Sequence, residues 1–147
     1  MDAKAIVSHI LDTFSGVEIT EAFGYEFFFY ADERMRPFAT LTSSDNDYDR
    51  VSKLDRPGVF RLNIGISRET FQALFGSSKV DDSSYDFTVL DKIMPHPEYA
   101  AQNFVCVLNP EETMETVRSL LAEAYNLAVR RHEKRQPKGG SGTDDVA

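Results

Sequence analysis

The sequence predicts an α+β fold, a two-layer arrangement in which an antiparallel sheet carries helices packed on one side. Three observations support this prediction. Amphipathic helical patterns stand near both ends of the chain, an aromatic hairpin pattern follows the first of them, and one segment, Arg56 to Gly76, joins a strand pattern directly to a helix pattern. Because strands and helices are grouped rather than strictly alternating, an antiparallel sheet with helices on one side is expected.

The central segment is the clearest part of the pattern. Residues Val59 to Ile64 alternate, with Phe60, Leu62 and Ile64 on one face and Val59, Arg61 and Asn63 on the other. This alternation predicts a strand with one core face and one face that carries two polar side chains.

A short helix is predicted directly after this strand. Ser67 is placed as its N-cap, Glu69 adds negative charge to its first turn, and Gly76 stands where a left-handed C-cap ends a helix.

The N-terminal third predicts a helix and a hairpin. Ala3 to Phe14 has helical spacing with Asp2 as its N-cap, and Val17 to Gly24 is interpreted as a connector. Tyr25 to Tyr30 and Phe38 to Thr42 are predicted as paired strands. The polar stretch that follows, Ser43 to Arg56, is interpreted as a loop with room for one helical turn.

The C-terminal half predicts a strand and the longest helix. One or two helical turns are favoured within Tyr85 to Met94, and Phe104 to Leu108 is a continuous apolar run typical of a strand buried on both faces. The long helix is expected to begin at Pro110, with Asn109 as N-cap and Glu112 in a capping box. We expect a single domain over residues 1–136 and a disordered tail over 137–147.

Composition limits the function classes. Hydrophobic residues make up 41% of the chain and cysteine occurs once, which favours a folded protein of a reducing compartment, and we expect a cytoplasmic location. No membrane span or signal peptide is predicted. The sequence lacks the phosphate-loop, dinucleotide-binding, serine-hydrolase and paired-cysteine motifs, so no cofactor and no metal site are predicted.

Charge distribution argues against a nucleic-acid partner. Residues 1–129 carry 11 basic and 21 acidic residues, a net charge of −10. Such a body repels phosphate backbones unless a local patch dominates. The basic run from Arg130 to Lys138 could touch nucleic acid, although helix C-termini are commonly basic for reasons of the helix dipole.

The order of elements resembles that of the MmcQ/YjbR-like family, which has a frataxin/CyaY-like fold. The matching features are the aromatic hairpin (FFFY…FATL), the unit FRLNIGISRETFQALFG, the segment HPEY, the strand FVCVL and the helix containing LLAEAYNLA. The resemblance covers residues 3–134 and implies that fold. It also implies DNA binding, a label that some members carry.

Four residues are predicted to form a ligand-binding site: Arg61, Asn63, His96 and Tyr99. Arginine can clamp a carboxylate or phosphate, asparagine offers a donor and an acceptor, and histidine titrates near neutral pH. Each also has a structural alternative. Arg61 could pair with Asp49 or Asp55, and His96 could bind the backbone.

Two other candidates are set aside. Residues 45–49 resemble the start of a calcium loop, but the glycine and glutamate that the pattern requires are both arginines here. Cys106 lies in an apolar run, where burial raises the pKa of a thiol and disfavours the nucleophilic thiolate.

The sequence therefore favours a non-catalytic module that binds a small ligand or a protein, with the partner unknown. A DNA-binding protein is the first alternative, and a small enzyme that uses His96 as general base is the second.

Overall fold

The computed structural model describes residues 1–76 and 84–135, which form three α-helices and six strands. The helices are α1 (Ala3–Thr13), α2 (Arg68–Phe75) and α3 (Met114–Arg135). The strands are β1 (Val17–Ala22), β2 (Tyr25–Tyr30), β3 (Ala39–Thr42), β4 (Arg61–Gly65), β5 (Met94–Pro95) and β6 (Phe104–Leu108).

All six strands belong to one antiparallel sheet in the order β1-β2-β3-β4-β6-β5. The first four strands follow one another as a meander, and β6 pairs with β4 on its far side. The α+β class with an antiparallel sheet, predicted from the sequence, is confirmed.

The three helices lie on one face of the sheet. Leu62 and Ile64 of β4 point into a core that also contains Ile10 of α1, Phe71 of α2 and Leu121 of α3, and all five side chains are buried. Burial of these apolar surfaces stabilises the two-layer arrangement.

The opposite face of the sheet is covered by irregular chain rather than by helices. Leu54, Val59 and Phe87 from the connecting segments pack against Cys106 and Leu108 of β6 in a second, smaller cluster. Strand β6 is therefore buried on both faces, as its continuous apolar run predicts.

The predicted helix caps are present. The side chain of Asp2 accepts a hydrogen bond from the backbone N–H of Ala5, and that of Ser67 accepts one from Thr70. Gly76 ends α2 with a φ of 77°, which glycine adopts at little cost.

The interpretation of Val17 to Gly24 as a connector is wrong, because Val17–Ala22 is the edge strand β1. It pairs with β2 through a two-residue loop, Phe23-Gly24, whose residues both have positive φ, 57° and 81°. Two consecutive positive values define a type I′ turn, for which asparagine rather than phenylalanine is typical, so the turn was not evident from the sequence.

The predicted start of the long helix is also wrong. The helix α3 begins at Met114, and the side chain of Asn109 instead accepts from the Phe60 N–H and donates to the Gly58 carbonyl. A distant residue, Asp91, takes over the capping role by accepting hydrogen bonds from three backbone N–H groups, those of residues 111, 112 and 113. A cap supplied from 20 residues away leaves no local sequence pattern.

Residues Tyr85 to Met94 form no α-helix, which corrects the expected helical turns. Leu90 makes an isolated bridge to Leu108, and Met94–Pro95 adds the short edge strand β5. Pairing with β6 satisfies backbone groups here that a helix would otherwise satisfy internally. The possible helical turn within 43–56 is likewise replaced by turns and a bridge between Asn46 and Asp49.

Within the described part of the chain, no helix is long and apolar enough to cross a membrane. The tail predicted at 137–147 lies outside the described residues. So do residues 77–83 of the hydrophilic stretch 77–84, whose sequence (SSKVDDSS) predicts a loop.

Candidate ligand-binding site

Arg61 and Asn63 lie on the sheet face opposite the helices, as predicted, but they are buried there. Arg61 has no exposed surface and Asn63 is 1% exposed. The segment of residues 43–60 passes over this face and excludes water from it. The two polar side chains are therefore part of a buried network.

Asp49 anchors this network. The Nη2 of Arg61 donates to Oδ2 of Asp49 at 2.5 Å and its Nη1 donates to Oδ1 at 3.1 Å, which makes a bidentate ion pair. The hydroxyl of Tyr25 also donates to Asp49, and the Nη1 of Arg61 donates to Ser52. The structural alternative for Arg61, a pair with Asp49, is what the structure shows.

Arg61 and Asn63 also satisfy each other. The Nε of Arg61 donates to Oδ1 of Asn63 at 3.1 Å, and Nδ2 of Asn63 donates to Oγ1 of Thr40 at 2.9 Å. Burial by itself raises the pKa of Asp49. The hydrogen bonds from Arg61 and Tyr25 together lower it by more, so the pKa of this carboxyl is below its ordinary value. Within this network the positive charge of Arg61 is balanced by the negative charge of Asp49.

His96 lies on the same side of the sheet as Arg61 and Asn63 and is 4% exposed. Its Nδ1 accepts hydrogen bonds from the backbone N–H groups of Glu98 and Tyr99, both at 3.0 Å. An acceptor Nδ1 requires a neutral ring with its proton on Nε2. Burial and the charge of Arg61 lower the pKa of His96 to about 3, against a smaller opposing effect of Asp49.

Tyr99 differs from the buried Arg61 and Asn63 because it lies at the surface, where 51% of it is exposed to solvent. Its ring lies 5.0 Å from the ring of His96. The structure thus brings Arg61, Asn63 and His96 to the buried face of the sheet and leaves Tyr99 at the surface. None of the four lines either of the two cavities described below, and their role in ligand binding stays a prediction.

A cavity of about 290 Å³ opens on the helix side, at the end of the sheet where β4 passes into α2. Part of its wall is apolar and is formed by Phe38, Ile66, Phe104 and Leu127. The ring of Phe104 packs tightly over Gly65, where an added Cβ would lie 2.9 Å from the Phe104 Cζ. A side chain at position 65 would therefore displace one wall of this cavity.

Three arginines line the same cavity: Arg36 before β3, Arg68 at the start of α2 and Arg131 on α3. We call this site the arginine cavity. Among the described residues, none of the three forms an ion pair with a carboxylate. In an acidic chain, three guanidinium groups without a paired acid are a local reversal of charge.

Arg131 is the most constrained of the three. Its Nε is buried and has no hydrogen-bond partner in the described part of the protein. Burial lowers its pKa, and the positive charges of Arg36 and Arg135 lower it further, against the opposing effect of Glu33. An anion in the cavity would reduce this repulsion and offer an acceptor to the guanidinium.

The acids around the cavity already have partners. Glu33, which acts on Arg131, forms an ion pair with Arg135. The carboxylate of Glu123 accepts from the Ser67 N–H at 2.7 Å and from the Thr70 hydroxyl at 2.7 Å. Glu123 therefore caps α2 rather than neutralising the arginines.

A second cavity, of about 440 Å³, lies at the tip of the β1–β2 hairpin and is lined by Glu21, Phe23, Glu26, Leu41 and neighbouring residues. It is acidic where the first is basic. In residues 1–76 and 84–135, no group of three histidine, cysteine or acidic side chains is placed to hold a metal.

Sequence reasoning missed the arginine cavity because its arginines come from three distant segments. Arg36 lies between the two strands of the predicted hairpin, and Arg131 lies in the basic run at the end of the long helix. The one local signal is the position of Arg68 directly after the cap Ser67, and it does not reveal the other two.

Residues 1–137 match the model of a family of unknown function, DUF6194. Neither a curated protein nor a solved structure matches the chain. The resemblance to the MmcQ/YjbR-like family is therefore wrong. The motifs on which it rested are short strand, cap and helix patterns, and such patterns follow from local packing rules that unrelated α+β domains share.

Proposed function

The chain belongs to DUF6194, a family of unknown function, and we propose that it is a non-catalytic module that binds a small organic anion in the arginine cavity. The observation that carries this proposal is the group of three arginines, unpaired among the described residues, around apolar walls. We also propose a cytoplasmic location, because the only cysteine is buried and unpaired.

The cavity favours a ligand with two parts. Its apolar walls suit an aromatic or aliphatic body, because transfer of such a group from water is favourable. Its arginines suit a carboxylate or phosphate, to which a guanidinium can donate two parallel hydrogen bonds. A volume of about 290 Å³ suits a small molecule or a single aromatic side chain.

We prefer this cavity to the face bearing Arg61, Asn63, His96 and Tyr99. The donors of Arg61 and Asn63 are engaged with Asp49, Ser52 and Thr40. A ligand at that face would have to displace the segment that covers it.

We give the enzyme alternative less weight for a related reason. A general base needs an available lone pair, and Nδ1 of His96 already accepts two backbone hydrogen bonds. The DNA-binding alternative stays disfavoured by the net charge of −8.

The proposal can be tested with phenyl phosphate, which combines an apolar ring with a dianion. We expect isothermal titration calorimetry at low salt to detect its binding to the wild type. The Arg131→Gln variant should bind at least roughly tenfold more weakly, because a charge-assisted hydrogen bond contributes about 1.5–3 kcal/mol.

The matched control is Arg130→Gln, since Arg130 is exposed on the same helix and does not line the cavity. It removes the same charge and should change the affinity less than roughly twofold. Equal losses in the two variants, or equal affinity for phenyl phosphate and inorganic phosphate, would contradict the proposal. Competition by duplex DNA would instead favour the nucleic-acid alternative.

A further inference from the structure

The tip of the β1–β2 hairpin presents an aromatic side chain in an unfavourable backbone conformation. Phe23 has a φ of 57° and is 88% exposed. A bulky residue is disfavoured in the left-handed region, which glycine and asparagine adopt more readily. Neither packing nor turn chemistry within the described chain explains a phenylalanine at this position.

Two glutamates stand directly behind Phe23. Glu21 and Glu26 are cross-strand partners on one face of the hairpin. Burial raises the pKa of Glu26, and the charge of Glu21 raises it further. Like charges placed opposite each other on a sheet are destabilising, and a positively charged partner would relieve the repulsion.

The hairpin tip and the arginine cavity lie at opposite ends of the sheet. In the strand register, Tyr25 next to the tip pairs with Thr42, which pairs with Arg61 at the start of β4. The cavity lies at the other end of β4, beside Gly65. The two sites therefore cannot meet within one molecule.

We propose that the hairpin tip of one molecule docks into the arginine cavity of a second copy, in a head-to-tail arrangement. The inference rests on the proposed function to the extent that it uses the same cavity as acceptor. Phe23 is the apolar body and Glu21 and Glu26 are the anionic groups, which is the combination the cavity favours. The complementary surface thus exists on the chain itself.

The geometry determines the kind of assembly. A head-to-tail contact uses two different surfaces, so a pair of molecules retains one free tip and one free cavity. Association therefore continues beyond two copies unless the rotation closes a ring. A tip inserted into a small cavity covers less area than a stable interface needs, so the association is weak and depends on concentration and salt.

The main test is sedimentation velocity at low ionic strength over a wide range of protein concentration. We expect the sedimentation coefficient of the wild type to rise with concentration. Phe23→Asn should remain monomeric and should fold at least as well, since asparagine suits the first position of a type I′ turn. Loss of association therefore cannot be attributed to misfolding.

A mixing experiment makes the test sharper. Phe23→Asn keeps an intact cavity and Arg131→Gln keeps an intact tip, so each alone should associate at least about tenfold more weakly than the wild type. An equimolar mixture should form a heterodimer and stop there, because only one tip and one cavity remain complementary. Arg130→Gln should associate as the wild type does.

Two results would overturn the inference: a wild type that stays monomeric at millimolar concentration, or a Phe23→Asn variant that associates like the wild type. Its failure can be separated from that of the proposed function by titrating phenyl phosphate into monomeric Phe23→Asn. Binding there without wild-type self-association leaves the proposed function intact. Phe23-dependent association without phenyl phosphate binding leaves only the head-to-tail contact.

Discussion

At the scale of single residues, burial determines which groups a polar side chain can interact with. Alternation along β4 predicts that Arg61 and Asn63 leave the helix-side core, and they do. The alternation does not predict that residues 43–60 cover them. Asp49 on that segment then becomes the counter-charge that makes a buried guanidinium tolerable.

Removing this counter-charge should be costly. We expect Asp49→Ala to lower the free energy of unfolding by about 3–5 kcal/mol, because it leaves the charge of Arg61 buried without a partner. Urea denaturation followed by circular dichroism measures the effect.

Asp47→Ala is the control for this prediction. The side chain of Asp47 is 88% exposed and pairs with Arg50 at the surface, whereas that of Asp49 is 8% exposed. Its removal should change stability by less than about 1 kcal/mol. Similar losses in both variants would mean that the Arg61–Asp49 pair has no special role.

At the scale of the elements, the local sequence shows where α1 and α2 begin but not where α3 begins. The caps of α1 and α2 come from the residue just before each helix, so Asp2 and Ser67 are found from the sequence. The start of α3 is determined by Asp91, which reaches it through the tertiary fold. Backbone N–H groups at residues 111–113 hold the pKa of the Asp91 carboxyl well below its usual range, together with the Thr113 hydroxyl.

The two candidates for the α3 cap can be compared directly. Asp91→Ala should destabilise the protein by about 1–2 kcal/mol, the typical cost of losing a cap. Glu112→Ala, at the position the sequence pattern favours, should be neutral to within about 0.5 kcal/mol. Thermal unfolding of both variants decides the matter, and a larger loss for Glu112→Ala would restore the local capping box.

At the scale of the whole molecule, net charge conceals an uneven distribution. The chain is acidic overall, yet the arginine cavity at one end of the sheet is basic and the hairpin tip at the other end is acidic. Both proposals follow from this polarity, one for a small anion and one for a second copy of the chain.

The buried histidine makes global stability depend on pH. His96 has a folded-state pKa of about 3, below the ordinary value of 6.5. As the pH falls, His96 therefore takes up a proton in the unfolded chain before it does so in the folded protein. The stability due to the neutral ring is fully present above pH 6.5 and is lost as the pH falls toward 3. Arg61 disfavours and Asp49 favours the protonated ring, and burial adds the largest effect.

Between pH 7 and pH 5 we expect the free energy of unfolding to fall by about 2 kcal/mol in the wild type. His96→Asn should lose most of this slope, because an asparagine oxygen can accept the same backbone hydrogen bonds without titrating. Urea denaturation at several pH values measures both slopes. His9→Asn is the control: burial also lowers the pKa of His9, but by less than that of His96, so this variant should keep most of the wild-type slope. A steep slope retained in His96→Asn would show that another group titrates.

The sequence by itself determined the fold class, the aromatic hairpin, two capped helices and the buried strand β6. These features depend on residues within one or two turns or strands of each other, so periodicity and capping reveal them. Only the tertiary structure decided that Arg61 is buried beneath a loop, that Asp91 binds the backbone N–H groups just before α3, and that Arg36, Arg68 and Arg131 surround one cavity. Those contacts join segments that the chain order keeps apart, and the free energy that holds them together arises only when the layers pack.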